Sequence, residues 1–246
     1  MSEEKQKGRN DAVIEISSVS KAFAARAVLK SIDLNVTRSQ SVCLCGVNGA
    51  GKSTLLRIVA GLLHADAGTV SLNGYSVRGE PEKTKPQLGV ISHKSMIYPD
   101  LTVSENLSFF ANLYGVKGVA GRITELLKDV GLFSYRYDKA TVLSRGLLQR
   151  LAIARALVHR PQVLLADEPF TGLDAEASKY LVGVFANFIK AGGTIVMTTH
   201  NTHTGLQCCD RVVVLDKHRL IFDARTSEID TAAFTKDYLS YARSRN

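Results

Sequence analysis

Apolar and polar positions alternate through much of the first third of the chain. Ile32, Leu34 and Val36 alternate with polar neighbours, as do Val70 and Leu72, and Asn73-Gly74 has two-residue hairpin chemistry. The stretch from Val13 to Val77 therefore reads mostly as strands. Within it, Ser41–Cys45 is a short apolar run, the pattern of a strand buried on both faces. The period then changes. From Ser53 to Leu63 the residues Leu55, Ile58, Val59 and Leu62 fall on one side of a helix. Thr102–Glu105 has capping-box spacing, and Leu107, Phe110 and Leu113 follow on one face. Ile123, Leu126, Leu127 and Val130 mark a second helix that Gly131 stops. A third opens after Ser144 and runs to about His159, where Pro161 enforces an end. Val163–Ala166, Thr194–Thr199 and Arg211–Leu215 then read as strands. Between the first two lies a helix burying Leu181, Val184, Phe185, Phe188 and Ile189. Strands alternating with helices predict an α/β architecture on a mostly parallel sheet. Residues 1–11 are polar and expected to be frayed. Thr231–Tyr241 is a short helix candidate with Phe234, Tyr238 and Tyr241 on one face.

Composition narrows this only slightly. At 246 residues and 45% apolar, the chain suits one large α/β domain, or a core with an inserted subdomain. No run approaches the roughly 18–20 apolar residues needed to span a bilayer. Met1–Lys7 is charged and lacks a signal-peptide segment, so a soluble, cytosolic chain is expected. The net charge of +8 is spread along the chain without a Lys/Arg block or a reader module, so direct nucleic-acid binding is not expected. Cys43, Cys45, Cys208 and Cys209 form no C-x-x-C motif and read as small buried thiols in a reducing compartment.

The chemistry begins at Gly46-Val47-Asn48-Gly49-Ala50-Gly51-Lys52-Ser53, which fits G-x-x-x-x-G-K-[ST] without a gap. It sits between a strand candidate and a helix candidate. Glycines let backbone amides wrap phosphates, and the helix N-terminus favours negative charge. Lys52 is placed to reach the β- and γ-phosphates and Ser53 to ligate Mg²⁺. Asp167-Glu168 closes the Val163–Ala166 strand, where Asp167 can hold Mg²⁺ and Glu168 can polarise an attacking water. His200 ends the Thr194–Thr199 strand at the same sheet edge. In Leu143–Arg150, Ser144 is placed to cap a helix and Gly146 to leave an amide exposed.

This ordered set resembles the ATP-binding cassette family, the nucleotide-binding subunits of ABC transporters, over about residues 12–223. The matching segments are Gly46–Thr54, Leu143–Gln149, Val163–Glu168, Phe170-Thr171-Gly172-Leu173-Asp174 and His200. The resemblance implies an α/β P-loop NTPase (RecA-like) core with an antiparallel β subdomain. It also implies an inserted α-helical signature subdomain at about 94–157 and a helical tail at 224–246. ATP and Mg²⁺ are the implied cofactors. Gly46, Val47, Asn48, Gly49, Ala50, Gly51, Lys52, Ser53 and Thr54 would hold the phosphates, and Phe23 would stack on adenine. Two cassettes, expected to be identical, would pair head to tail, with Ser144 and Gly146 meeting the γ-phosphate held by the partner. Separate transmembrane permease subunits would then hold the chain at the cytoplasmic face of the inner membrane.

Two positions depart from the family pattern. His93 stands where the family places a Mg²⁺-contacting glutamine, and imidazole can ligate only when unprotonated. The signature reads Ser-Arg-Gly-Leu-Leu, with Arg145 and Leu147 where glycine and glutamine are commonest. Leu143–Gly146 and Phe170–Asp174 look like the ATP-binding subunit of the haem exporter used in cytochrome c maturation. An exporter of drug, lipid or peptide is the alternative, since it shares every one of these residues. A soluble ABC ATPase acting on nucleic acid or ribosomes is the further one, against which stand the single cassette and the absence of a heptad run.

Overall fold

The computed structural model describes residues 11–24, 26–92, 95–200, 202–230 and 233–234. The chain opens with two long antiparallel strands, β1 (Ala12–Phe23) and β2 (Arg26–Thr37). β4 (Ala67–Leu72) lies on the other side of β1, and β5 (Tyr75–Ser76) follows it, giving the order β2-β1-β4-β5. The β4–β5 turn is the predicted Asn73-Gly74 hairpin. Leu72 pairs with Tyr75, and φ is 48° at Asn73 and 80° at Gly74. Positive φ at both central residues is what a type I′ turn requires.

The second sheet has the order β10-β9-β3-β8-β7-β6. β3 (Ser41–Cys45), β6 (Leu88–Ile91), β7 (Val163–Asp167), β8 (Thr194–Thr199) and β9 (Arg211–Asp216) run parallel. β10 (Arg219–Arg225) closes one edge antiparallel, so the expected mostly parallel sheet carries one reversed strand. It runs past the expected cassette end at 223. Most of the tail helix expected after it falls outside the described residues, as does the expected frayed start at 1–10.

Helix α1 (Lys52–Val59) leaves β3, and a single turn, α2 (Pro81–Thr84), precedes β6. α1 is shorter than the expected Ser53–Leu63, because Gly61 takes φ 67° and its amide closes onto the Ile58 carbonyl. Leu62 consequently stands 57% exposed rather than on the buried side. Between β6 and β7 are inserted α3 (Val103–Leu113), α4 (Val119–Asp129) and α5 (Arg145–Leu157). The capping box at Thr102 forms as predicted, with both reciprocal bonds present. Leu113 is exposed, on the outer side of the last turn of α3. α6 (Ala175–Lys190) and α7 (Thr202–Cys208) connect the remaining strands.

β3 shows why the apolar run has no polar break. Val42 and Leu44 pack with Leu55, Leu56 and Ile58 of α1 and with Ile14 and Leu72 of the antiparallel sheet. Cys43 and Cys45 point the other way, among Ile153, Leu181, Phe185 and Met197. A strand covered on both faces gains from burial at every position. The inserted helices form their own core, around Leu107, Leu126, Leu127 and Leu151.

Candidate functional site

The C-terminal ends of β3, β7 and β8 lie side by side, with Cys45 opposite Thr199 and Asp167 opposite Thr198. Open parallel sheets bind ligands at this edge. The loop leaving β3 turns tightly. Gly49 has φ 79° and Gly51 φ 110°, and a Cβ at Gly51 would sit 2.9 Å from the Val28 carbonyl oxygen. Only glycine satisfies both the conformation and the space there. The loop then opens α1, so its amides and a helix N-terminus face one cleft. That cleft, of about 490 Å³, is lined by Phe23, Arg26, Val28, residues 48–54 and Glu168. Phe23 is 49% exposed, which suits an aromatic stacking on a planar base.

Lys52 is buried, and its Nζ donates to the carbonyls of Gly46 at 2.7 Å and Val47 at 3.3 Å. It also lies 3.9 Å from Glu168 Oε1. Burial pushes the Lys52 pKa below the usual lysine value, while the Glu168 carboxylate pulls it partly back.

The carboxylates are held by hydroxyls from two directions. Ser53 Oγ donates to Asp167 Oδ1 at 2.8 Å, and Thr198 Oγ1 donates to the same oxygen at 2.7 Å. Glu168 has φ 50°, a left-handed conformation that costs a non-glycine residue roughly 1–3 kcal/mol. Its amide is secured by Thr198, donating to the main-chain oxygen at 3.2 Å and to Oγ1 at 3.0 Å. His200 Nδ1 lies 2.8 Å from Glu168 Oε2. The sheet thus brings Lys52, Ser53, Asp167, Glu168 and His200 together.

The donor set fits Mg²⁺. That ion takes hard oxygen ligands and is usually held by one or two carboxylates together with substrate phosphates. Ser53 and Asp167 supply such oxygens, already in contact beside the loop. Among the described residues no group of three or more His, Cys, Asp or Glu is placed to hold a metal ion. His93 lies outside the described residues.

Ser144 and Gly146 are elsewhere. Ser144 caps α5, its Oγ accepting from the Leu147 amide at 3.4 Å, and neither residue lines the cleft at the loop. Arg145 folds onto the segment after β7. Its guanidinium occupies the space where Gly172 would carry a Cβ, and Nη2 reaches the Thr171 carbonyl at 3.5 Å. Gln149 Nε2 donates to the Pro169 carbonyl at 3.1 Å. A larger cleft of about 760 Å³, lined among others by Arg122, Tyr180 and Phe188, contains no loop residue and neither Asp167 nor Glu168. The chemistry is at the smaller one.

Sequence reasoning missed Thr198 and the seat of Arg145. Thr198 carried no signal of its own: it is one of three threonines in β8, with Thr194 and Thr199, and only its register with Asp167 sets it apart.

Residues 29–171 match the sequence profile of the family described as ABC transporter. The chain is 32% identical over 211 residues to the linearmycin resistance ATP-binding protein LnrL of Bacillus subtilis (strain 168), covering 85% of this chain and 68% of that protein. It is 36% identical over 212 residues to the Nod factor export ATP-binding protein I of Burkholderia orbicola (strain AU 1054), covering 85% and 70%. It superimposes on a solved ATP-binding subunit of an ABC transporter with a TM-score of 0.84 at 28% identity, over 94% of this chain and 99% of that one. Against cbiO1 from Clostridium perfringens, described as part of the ABC transporter complex cbiONQ, the TM-score is 0.80 at 25% identity, over 93% of each chain.

Proposed function

The chain belongs to the ABC transporter family as an ATP-binding subunit with the family's ATPase fold, and from that premise we propose that it hydrolyses ATP to drive separate membrane subunits of an exporter. The observation that carries this reading is a positioned carboxylate. Glu168 has one oxygen against His200 Nδ1 and the other toward Lys52, at the mouth of the phosphate loop.

In this reading the loop amides and Lys52 bind the phosphates, and Phe23 stacks on adenine. Ser53 and Asp167 would hold Mg²⁺, with His93 as a further contact. When bound, the ion supplies neutralisation of phosphate charge. Glu168 accepts the proton of the attacking water, and His200 fixes which of its oxygens faces that water. Ser144 and Gly146 serve a nucleotide held by a second, identical cassette. Their separation from this chain's own cleft supports that assignment.

No helix among the described residues is long and apolar enough to cross a membrane. We assign membrane attachment to separate permease chains, at the cytoplasmic face, a reading supported by the likeness to cbiO1, described as part of the ABC transporter complex cbiONQ. The relatives named for Nod factor export and linearmycin resistance support an exporter of cargo other than haem. The haem reading keeps only the Leu143–Gly146 and Phe170–Asp174 resemblance. Those same names weigh against an ATPase acting on nucleic acid.

The test is Glu168→Gln, which keeps size and removes basicity. Turnover falls by about 10²-fold or more while ATP binding persists, the usual scale for a lost general base. Steady-state hydrolysis within about twofold of wild type rejects Glu168 as the base.

A further inference from the structure

We propose that the Thr198 hydroxyl is a positioning group for hydrolysis, holding both the Asp167 carboxylate and the Glu168 backbone; this rests on the ATPase reading above.

Thr198 is fully buried in the central strand β8, in register with Asp167. A valine would fill that place equally well and is the better choice for a buried strand on packing grounds. The hydroxyl is used in both senses instead. It donates to Asp167 Oδ1 at 2.7 Å and accepts from the Glu168 amide at 3.0 Å. An ionised carboxylate can only accept, so the direction of the first bond is fixed. The same Oδ1 receives Ser53 Oγ at 2.8 Å. Two hydroxyls from β8 and α1 therefore clamp one oxygen of Asp167 and orient its other oxygen. The second bond falls on a residue with φ 50°, where the chain departs from the strand and the Glu168 side chain is aimed. A strained backbone persists only where its surroundings over-determine it. Here the main-chain bonds of Glu168 to the Thr198 oxygen and from the Thr171 amide are joined by the Thr198 side chain, and that hydroxyl alone also reaches Asp167, so it couples the metal-side carboxylate to the hydrolytic one.

The test compares Thr198→Val, Thr198→Ala and Thr198→Ser in the full chain, with Glu168→Gln alongside. Two readouts are taken: steady-state hydrolysis, and ATP affinity by calorimetry with Mg²⁺ or with chelator. Loss of hydrogen bonds to charged groups predicts that Val and Ala lower kcat by about tenfold or more, while Ser stays within about twofold of wild type. In wild type and Ser, Mg²⁺ strengthens ATP binding; in Val and Ala that gain shrinks. The thermal midpoint of each variant shows whether it folds, and Ala serves if Val does not. Wild-type turnover in Val or Ala overturns the proposal. So does a loss in Ser equal to that in Val, because the cause is then packing. Unchanged turnover in Glu168→Gln overturns the hydrolytic reading itself. A loss there beside a wild-type Thr198→Val overturns this proposal alone.

Discussion

The phosphate-loop end and the signature end of this molecule are built on opposite principles. At the loop, side chains from the ends of two strands and one helix converge, and each functional group has a partner in the same chain: Lys52 on the Gly46 carbonyl, Ser53 and Thr198 on Asp167, His200 on Glu168. At the signature, Ser144 makes a local helix cap, and Arg145 and Gln149 fasten the first turns of α5 to the backbone of Pro169–Thr171. The first arrangement presents a reactive surface to a ligand. The second fixes the position of a helix start relative to the residues that follow Glu168. The difference teaches that the phosphate-loop residues gather at one cleft, while the helix start at Ser144 is held outside that cleft by contacts to the segment after β7.

The comparison breaks most easily at Lys52. Lys52→Ala removes a buried cation whose contacts to charged groups are worth roughly 1.5–3 kcal/mol each, so ATP affinity falls about tenfold or more and turnover falls with it. Calorimetry checks this, and unchanged affinity would mean that the loop is not the nucleotide site. The helical insertion should not notice, because its core around Leu107 and Leu151 is separate.

A smaller effect sharpens the other side. His159 follows α5, stacks on Tyr114 at a centroid distance of 3.9 Å, and contacts the Leu88 carbonyl through Nε2 at 3.0 Å. Burial holds its pKa below the ordinary value, only partly offset by that hydrogen bond. The neutral ring is therefore favoured in the folded state. Its contribution is present above the unfolded value of about 6.5 and is lost as pH falls from there through the lower folded value. The thermal midpoint should drop on acidification, and less so in His159→Gln. Equal acid sensitivity of the two proteins would remove His159 from the account.

Much of the loop end was legible in the sequence because its geometry is local. Glycine spacing, a strand before it and a helix after it suffice to place Lys52 and Ser53. Asp167 and Glu168 were legible because they close an apolar run, and His200 because it follows the Thr194–Thr199 strand. Thr198 was hidden: its role depends on the register of β7 with β8, which no spacing reveals. β6 and β10 are edge strands, β6 only four residues long and β10 exposed apart from half-buried Leu220 and Ala224, so neither carries a readable pattern. Leu62 and Leu113 have helical spacing yet stand in solvent, since periodicity shows a face but not where the helix stops. Arg145 reads from sequence as a departure at the signature; its seat on Gly172 needs a residue 27 positions later to be glycine.

The division of labour between the two ends is tested most directly by mixing two inactive proteins. Lys52→Ala disables the loop and leaves the signature intact. Gly146→Glu does the reverse, placing a negative charge where an amide would meet phosphate; a Cβ there meets nothing closer than Ala177 Cβ at 4.0 Å, so the helix accommodates it. Each protein alone should hydrolyse little ATP. Mixed, they form pairs in which one site combines an intact loop with an intact signature, and the account predicts that turnover returns. No recovery, from variants shown to associate, would contradict it and place the whole site within one chain.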